Sequence, residues 1–333
     1  MSKTEVNVGM ADFKCQSVGV LHKYMHKPTT EKNLVGKVIS SFPTSLNIKT
    51  SRNELLVISL NKILLVISLN KIRSPITINL MRQFDDSNFA GLVDYGDHVV
   101  RFRDSVYVGE SMKLHLEKSI VFSNCFVNPT HAGLIKFSYA AEKILSSLME
   151  LRRSGCLLEP EMTNQDLLHQ FIAETSVNNI MNKDNTKFVS TLSHSLMKMC
   201  GRGPGFTPSG DDFICGFSSL FNWHTRGLKY PSLSLPKRSI CDLTTWISFK
   251  FIEYYQKLIV DEQIQGLINS IGEGRTDNFM SLISTLSCRG HTSGIDIGTG
   301  LSTALFTLCD RSLGTELLSK VQTLLEEGNR QKE

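Results

Sequence analysis

Two hydrophobic periods divide the chain. From about residue 16 to 127, apolar residues come in short runs broken by turn residues: SVGVLH, KVISSF, SLNIKT, HVVRFRDSVYVG and SIVFSNCFV. HVVRFRDSVYV approaches strict alternation over part of its length, the period of a half-buried strand. From about 131 the spacing changes to three and four. AGLIKFSYAAEKILSSLMELRRSG predicts a helix of five or six turns ended by Gly155. NQDLLHQFIAETSVNNIMN, KFVSTLSHSLMKMC, DDFICGFSSLFNWHT, LTTWISFKFIEYYQKLIV, DEQIQGLINSIG, DNFMSLISTLS, GLSTALFTLCD and GTELLSKVQTLLEEG follow with the same spacing. Asp, Thr or Ser opens many of these and Gly closes several, as helix boundaries require. PSLSLPKRS at 231–239 reads as a loop. The expected class is α+β: a strand-rich N-terminal region over 1–130, as a small antiparallel sheet or barrel, then an all-helical domain over 131–333.

One strand run is duplicated. LLVISLNKI at 55–63 recurs unchanged at 64–72. The repeat has an odd length, so one strand continuing through both copies would turn its second hydrophobic set to the other face. Two arrangements avoid this: a hairpin turning at Asn61-Lys62, or a bulged loop that absorbs the second copy.

Composition narrows the class. The 333 residues are 41% hydrophobic and 20% charged, enough for a packed core. The net charge of +4 includes no basic run interleaved with aromatics, which argues against a nucleic-acid surface. The eight cysteines form no CxxC pair and no Cys/His cluster with zinc spacing. Scattered thiols in a chain of this length suit a reducing compartment. The N-terminus has no apolar signal core, and no apolar run approaches the roughly 20 residues that span a bilayer. A soluble cytoplasmic protein is expected, without membrane or nucleic-acid partners.

The chemistry concentrates in two glycine-rich breaks of the helical half. GRGPGFTPSGDDFICGF at 201–217 holds Ser209-Gly210-Asp211-Asp212 followed by Gly216. RGHTSGIDIGTGLS at 289–302 holds Ser293-Gly294-Ile295-Asp296 followed by Gly300. Both read S-G-x-D-x-x-x-G, Thr207 and Thr292 precede them, and each follows a helix ending in Cys. The first turn of a helix offers free N–H groups and the positive dipole end, and glycine lets a ligand approach closely. That combination favours phosphate or carboxylate. The aspartates add acceptors for an amide or ureido group, or hold a hydrated Mg2+ bridging to phosphate. In each helix the Asp and the second Gly share a face, leaving room for a ligand or a close-packed helix.

A plainer reading competes. Ser-x-x-Asp is close to a capping box, and Thr207-Pro208 fits an N-cap followed by Pro at the first helical position. Caps leave unexplained the second carboxylate Asp211, the run Gly201-Arg202-Gly203-Pro204-Gly205, and His291. A P-loop is excluded because no Lys follows these glycines, and a dinucleotide fold because 188–200 reads as helix.

The pairing of GxGPGxTPSGDDxxxG with GHTSGxDxxxG resembles the bacterial domain-of-unknown-function family that includes the AllH-type subunit of oxamate carbamoyltransferase. Residues 186–310 carry the resemblance. Thr244 and Ser248 in LTTWIS are similar to that family's pattern. The resemblance implies a role in anaerobic allantoin breakdown, where oxalurate and phosphate give oxamate and carbamoyl phosphate. It also implies two partner subunits, one resembling an acyl-CoA synthetase and one from another uncharacterised family. In such a reaction, N–H groups around Gly203, Gly205 and Gly210, with Arg202, would hold phosphate or carboxylate. Thr207, Ser209, Ser248, Thr292, Ser293 and Gly294 would line the site. Asp211 or Asp212 would orient the ureido group or carry Mg2+, Asp296 is a further catalytic candidate, and His291 would be either the general acid or a loop histidine. A non-catalytic metabolite-binding or scaffold subunit is the alternative.

Overall fold

The computed structural model describes residues 10–19, 29–60, 73–80, 89, 91–117, 119–129, 134–159, 163–181, 184–226, 228, 230–275 and 279–330. The chain divides into two compact units, Met1–Asn124 and Cys125–Glu333.

The first unit is built of strands β1 (Ala11–Gly19), β2 (Asn33–Phe42), β3 (Ser45–Thr50), β4 (Leu55–Leu60), β5 (Thr77–Leu80), β6 (His98–Phe102), β7 (Ser105–Val108), β8 (Met112–His115) and β9 (Ile120–Phe122). They are ordered β5-β4-β3-β2-β6-β7-β8-β1-β9, and β1 also pairs with β5. That pairing closes eight strands into a barrel, which removes the free edges of a sheet. Of the two expected forms the barrel is therefore the one present. It is mixed, because β1 runs parallel to β8 and β9, and β4 parallel to β5. A bulge between Cys15 and Ser17 lets β1 serve both neighbours, placing Phe13 beside Leu114 and Val18 beside Ile78. Alternation fills the interior: Val38, Ile48, Ile58, Ile78, Val99, Val106, Met112 and Leu114 are buried together. The first copy of the duplicated segment supplies β4, with Ile58 opposite Leu46 of β3. The proposed Asn61-Lys62 turn and the second copy lie outside the described residues.

The second unit is built of α1 (Leu134–Glu150), α2 (Thr163–Met181), α3 (Asn185–Met199), α4 (Ser209–Thr225), α5 (Lys237–Leu243), α6 (Trp246–Gln256), α7 (Glu262–Glu273), α8 (Phe279–Ser287), α9 (Ser293–Leu313) and α10 (Leu317–Arg330). No helix among the described residues is long and apolar enough to cross a membrane. Helices α4 and α9 form the centre. Nearly every residue of α4, and Gly294–Asp310 of α9, is buried. A helix apolar or small on all sides belongs in a core. Phe213, Phe217 and Phe221 stack one turn apart along α4, and Phe171 of α2 meets two of them edge-on. The hydroxyls in this core are satisfied locally: Ser218, Thr225, Thr299, Thr303 and Thr307 each donate to the carbonyl four residues back.

Three sequence boundaries are corrected. The helix expected to be ended by Gly155 stops at Glu150. The loop expected over 231–239 ends at Pro236, where α5 begins. The single helix expected from Leu243 is broken at Thr244-Thr245, because Thr244 is extended and Thr245 caps α6 by accepting the Ser248 N–H.

The two central helices touch backbone to backbone. A Cβ on Gly216 would lie 1.9 Å from the Ile297 carbonyl oxygen, and one on Gly300 would lie 2.1 Å from that of Phe213. The final glycine of each motif is thus a packing residue. Gly216→Ala is predicted to destabilise the protein by about 1–3 kcal/mol through overpacking. Gly266→Ala, in α7 where only an ordinary contact at 3.6 Å is met, should instead stabilise by about 0.8–1 kcal/mol. Urea denaturation of both variants checks the pair; a neutral Gly216→Ala would contradict the close approach.

Candidate functional site

The two motifs converge. Thr207 Oγ1 lies 3.2 Å from Ser293 Oγ and donates to Asp212 Oδ2 at 3.2 Å. The contacts are reciprocal under exchange of the two motifs. Gly216 touches the residue after Asp296, and Gly300 the residue after Asp212. The Gly210 N–H donates to the Arg202 carbonyl, and the Gly294 N–H to the Arg289 carbonyl. Gly210 also packs on the Met199 carbonyl at the end of α3, and Gly294 on that of Leu286 near the end of α8. Reciprocity of this kind is the mark of a two-fold relation. Here it relates α3–turn–α4 to α8–turn–α9 within one chain.

The hydroxyls do not cap their helices. Neither α4 nor α9 has a side-chain cap hydrogen bond, and the residues at their cap positions are Pro208 and Thr292. Elsewhere caps are made in the ordinary way, by Asp184 on α3, Thr245 on α6 and Asp261 on α7. Ser209 Oγ instead donates to the Gly155 carbonyl at 3.1 Å. The S-x-x-D spacing here serves contacts between segments.

The three aspartates have different surroundings. Asp211 is fully engaged: Oδ1 accepts the Gly201 N–H at 2.8 Å, and Oδ2 accepts Ser248 Oγ at 2.6 Å and the Thr244 hydroxyl. It ties the glycine turn, where Gly201 has φ of 71°, to the break between α5 and α6. Asp212 is buried, and burial pushes its pKa up to about 7. The hydroxyls of Ser293 and Thr207 and the Arg289 cation pull against that rise, while Asp211 adds to it. Asp296 is wholly buried, and its pKa is pushed up to about 8, first by burial and then by the charge of Asp212. The Leu157 N–H donates to its Oδ1 at 2.8 Å. Ser209 and Thr292 stand beside it and lower that pKa, but Ser209 gives its proton to Gly155. Among the described residues Asp296 Oδ2 has no hydrogen-bond partner.

Arg289 sits behind Asp212. It donates to Tyr255 Oη at 2.9 Å and to Asp261, whose other oxygen caps α7. Burial works against this cation, but Tyr255, Asp261 and Asp212 outweigh it and raise the Arg289 pKa. Another segment missed in the sequence is the turn after α1. Gly155 and Leu157 touch Ser209 and Asp296, and Arg153 Nη1 donates to the His291 carbonyl at 3.1 Å. Its signal was the RRSG break, a third glycine stop after a helix; for Arg289 the signal was its position directly before GHTSG. His291 and the Arg202–Phe206 stretch, including Gly203 and Gly205, are exposed at the rim.

A magnesium ion is poorly served. Both oxygens of Asp211 are taken by N–H and O–H donors, and Asp212 faces hydroxyl donors. Among the described residues no group of three or more His, Cys, Asp or Glu side chains is placed to hold a metal. Two cavities lie elsewhere. One of about 770 Å³ is lined by Lys32, His98 and Tyr107, and one of about 450 Å³ by Asn222, Arg226 and Lys257.

Both motifs fall inside a segment with known relatives. Residues 199–305 match the family model of oxamate carbamoyltransferase subunit AllH. The resemblance drawn from the motifs is therefore borne out over the segment that carries them, which is less than half of the chain. It spans the end of α3 through most of α9, and so includes Asp211, Asp212, Asp261 and Asp296. No curated protein and no solved structure matches the chain.

Asp211 acts as a brace in this geometry. Asp211→Ala would strip the acceptor from three donors, Ser248 buried and Gly201 and Thr244 half-buried. It should lower stability by about 3 kcal/mol or more in urea denaturation at neutral pH. A loss below about 1 kcal/mol would mean that the turn does not depend on it.

Proposed function

We propose that this chain is a subunit of an oxamate carbamoyltransferase-like enzyme, converting oxalurate and phosphate to oxamate and carbamoyl phosphate. The observation that carries the reading is the joining of the two S-G-x-D motifs around buried Asp212 and Asp296, inside the AllH-matching segment. A ureido group presents N–H donors, and paired carboxyl groups are acceptors for them. The substrate's carboxylate and the phosphate need cationic or N–H partners, which Arg202 and the Gly203 and Gly205 N–H groups at the rim would supply. Ser248 acts through Asp211, steadying the turn rather than touching substrate. His291, at the exposed rim, would meet the anionic end of a ligand.

Both carboxyl groups are buried, so a ligand would reach them through movement of a neighbouring segment, in this reading the exposed 202–206 loop. Closure of that loop over substrate would exclude water from a phosphorolysis. No step is assigned to a metal. The acyl-CoA-synthetase-like and second uncharacterised subunits would be the partners, and all eight cysteines are unpaired, as a cytoplasmic site of action would have them. The burial of the pair is also what a non-catalytic metabolite-binding or scaffold subunit would show.

A thermal-shift panel separates the readings. Oxamate, oxalurate, carbamoyl phosphate and phosphate are each added to the wild type and to Asp212→Asn. A ligand bound by the folded state alone stabilises it by about 2.7 kcal/mol at a hundredfold excess over Kd. The enzyme reading predicts a rise for oxalurate or oxamate that disappears in the folded variant. No rise with any of the four, for the chain alone and for its assembled complex, would leave the scaffold reading.

A further inference from the structure

We propose that Asp212 and Asp296 act as one acid–base pair, holding a single proton between them and passing protons between the two reactants. The proposal rests on the reading of function above. Its footing is geometric. The two carboxyl groups come from equivalent positions of a two-fold repeat and are both buried. Among the described residues one oxygen, Asp296 Oδ2, has no hydrogen-bond partner although the residue has no exposure at all, with the Ser209 and Thr292 hydroxyls nearby. Arg289, the cation that acts on Asp212, is already paired with Asp261. A buried carboxylate with an oxygen left without a donor is costly, and a proton reduces that cost. Two carboxyl groups in one site cannot both ionise easily, so the first proton is lost well before the second.

The charged and titratable neighbours agree with this. On α4 the pair meets Asp211 and Cys215, and both Asp211 and Asp212 help to hold that thiol protonated after burial has done most. From the turn after α1 comes Cys156, raised by burial and further by Asp296. From the turn before α9 comes Arg289, with Tyr255 and Asp261 behind it. Among the described residues Arg289 is the cation that acts on Asp212, and Tyr255 and Asp261 draw on it first. Asp211 has its own three donors and Asp261 has Arg289, leaving Asp212 and Asp296 to share a proton.

Such a pair suits a phosphorolysis. A phosphate oxygen forms a bond to the ureido carbon, and the bond from that carbon to the oxamate nitrogen breaks. The proton of hydrogen phosphate moves to the ionised carboxylate. The proton on the other carboxyl moves to the leaving nitrogen. One proton enters the pair and one leaves, so its charge is unchanged and no outside acid is consumed. The two-fold arrangement gives each aspartate an acceptor or donor role according to where the proton rests, and the Ser293–Thr207 hydroxyl chain connects Asp212 to the other motif.

Infrared difference spectroscopy on the full chain tests the resting proton. The carbonyl stretch of a protonated carboxylic acid is followed from pH 5 to 9 in the wild type, Asp212→Asn and Asp296→Asn. Asp310, a third carboxyl raised by burial, is present in every sample and cancels in the differences. The expected result is a band assigned to the pair at pH 6, where both groups are protonated, that fades in two steps as the pH rises, the first step leaving the single shared proton. Its midpoint should fall in either single variant, because the like charge is gone. No such band at pH 6, or midpoints equal to that of the wild type in both variants, would overturn the shared proton. Should either Asn variant fail to fold, the wild-type titration still decides, since two separate one-proton steps must be resolved. In the assembled complex supplied with oxalurate and phosphate, each folded variant should lose about 100-fold or more in turnover. Full turnover in both variants would overturn the relay. An infrared band without any ligand response would overturn the functional reading and leave the proton pair standing.

Discussion

Helices α4 and α9 cross with backbone against backbone, at Gly216 on one and Gly300 on the other, and the site depends on that contact. Side chains at those two positions would push the helices apart. The first turns, with Asp212 and Asp296, would separate with them, and the Thr207–Ser293 contact would break. The small residues are thus spent on proximity, which brings two carboxyl groups into one buried space. The aromatic ladder of Phe213, Phe217 and Phe221 on α4 anchors that helix against α2, so the crossing is held from behind as well as in front.

Two-fold repetition gives the two halves the same local plan, and their supports differ. In the first half, Asp211 gathers Gly201, Thr244 and Ser248 into a rigid turn. In the second, the residue in the place of Asp211 is Ile295, which joins the core. There the turn is fixed by Arg289 reaching Asp261 and Tyr255. One side is therefore held by an anion with its donors, the other by a cation with its acceptors. The field across the site is accordingly uneven: Asp212 feels Arg289 directly, whereas the third influence on Asp296, after its own burial and the Leu157 N–H, is the repulsion of Asp212.

Much of this was legible in sequence, for physical reasons. The change of period from two to three and four marked the change from strands to helices, because side-chain burial imposes those periods. The S-G-x-D-x-x-x-G echo marked the paired site, since a shared packing and polar requirement at both crossings selects the same residue types. The Thr244–Ser248 pattern pointed to polar residues on an otherwise apolar element, which proved to be the donors of Asp211. What sequence did not show depends on contacts between distant segments. Barrel closure needs β1 to pair with β5, and nothing local to either strand announces it. The Thr244-Thr245 break follows from what Asp211 requires across the fold. The same holds for Gly155, Leu157, Asp261 and Tyr255: each looks like an ordinary turn, cap or core residue until its partner is placed beside it. Ser209 shows the converse, with a spacing that suits a cap and a hydroxyl used elsewhere.

The claim that the two motifs form a single electrostatic unit is tested most directly by a double-mutant cycle. The stabilities of the wild type, Asp212→Asn, Asp296→Asn and the double variant are compared at pH 5 and pH 9. An acid whose folded pKa is raised binds more protons folded than unfolded between the two values, so it lowers stability as the pH climbs through that window. For this pair the window runs from the ordinary 3.8 to about 7 and about 8. The account predicts a coupling of about 0.5–3 kcal/mol at pH 9, where both are charged and repel, shrinking at pH 5. Additivity within about 0.5 kcal/mol at both pH values would contradict it, because carboxyl groups that do not sense each other are not one site.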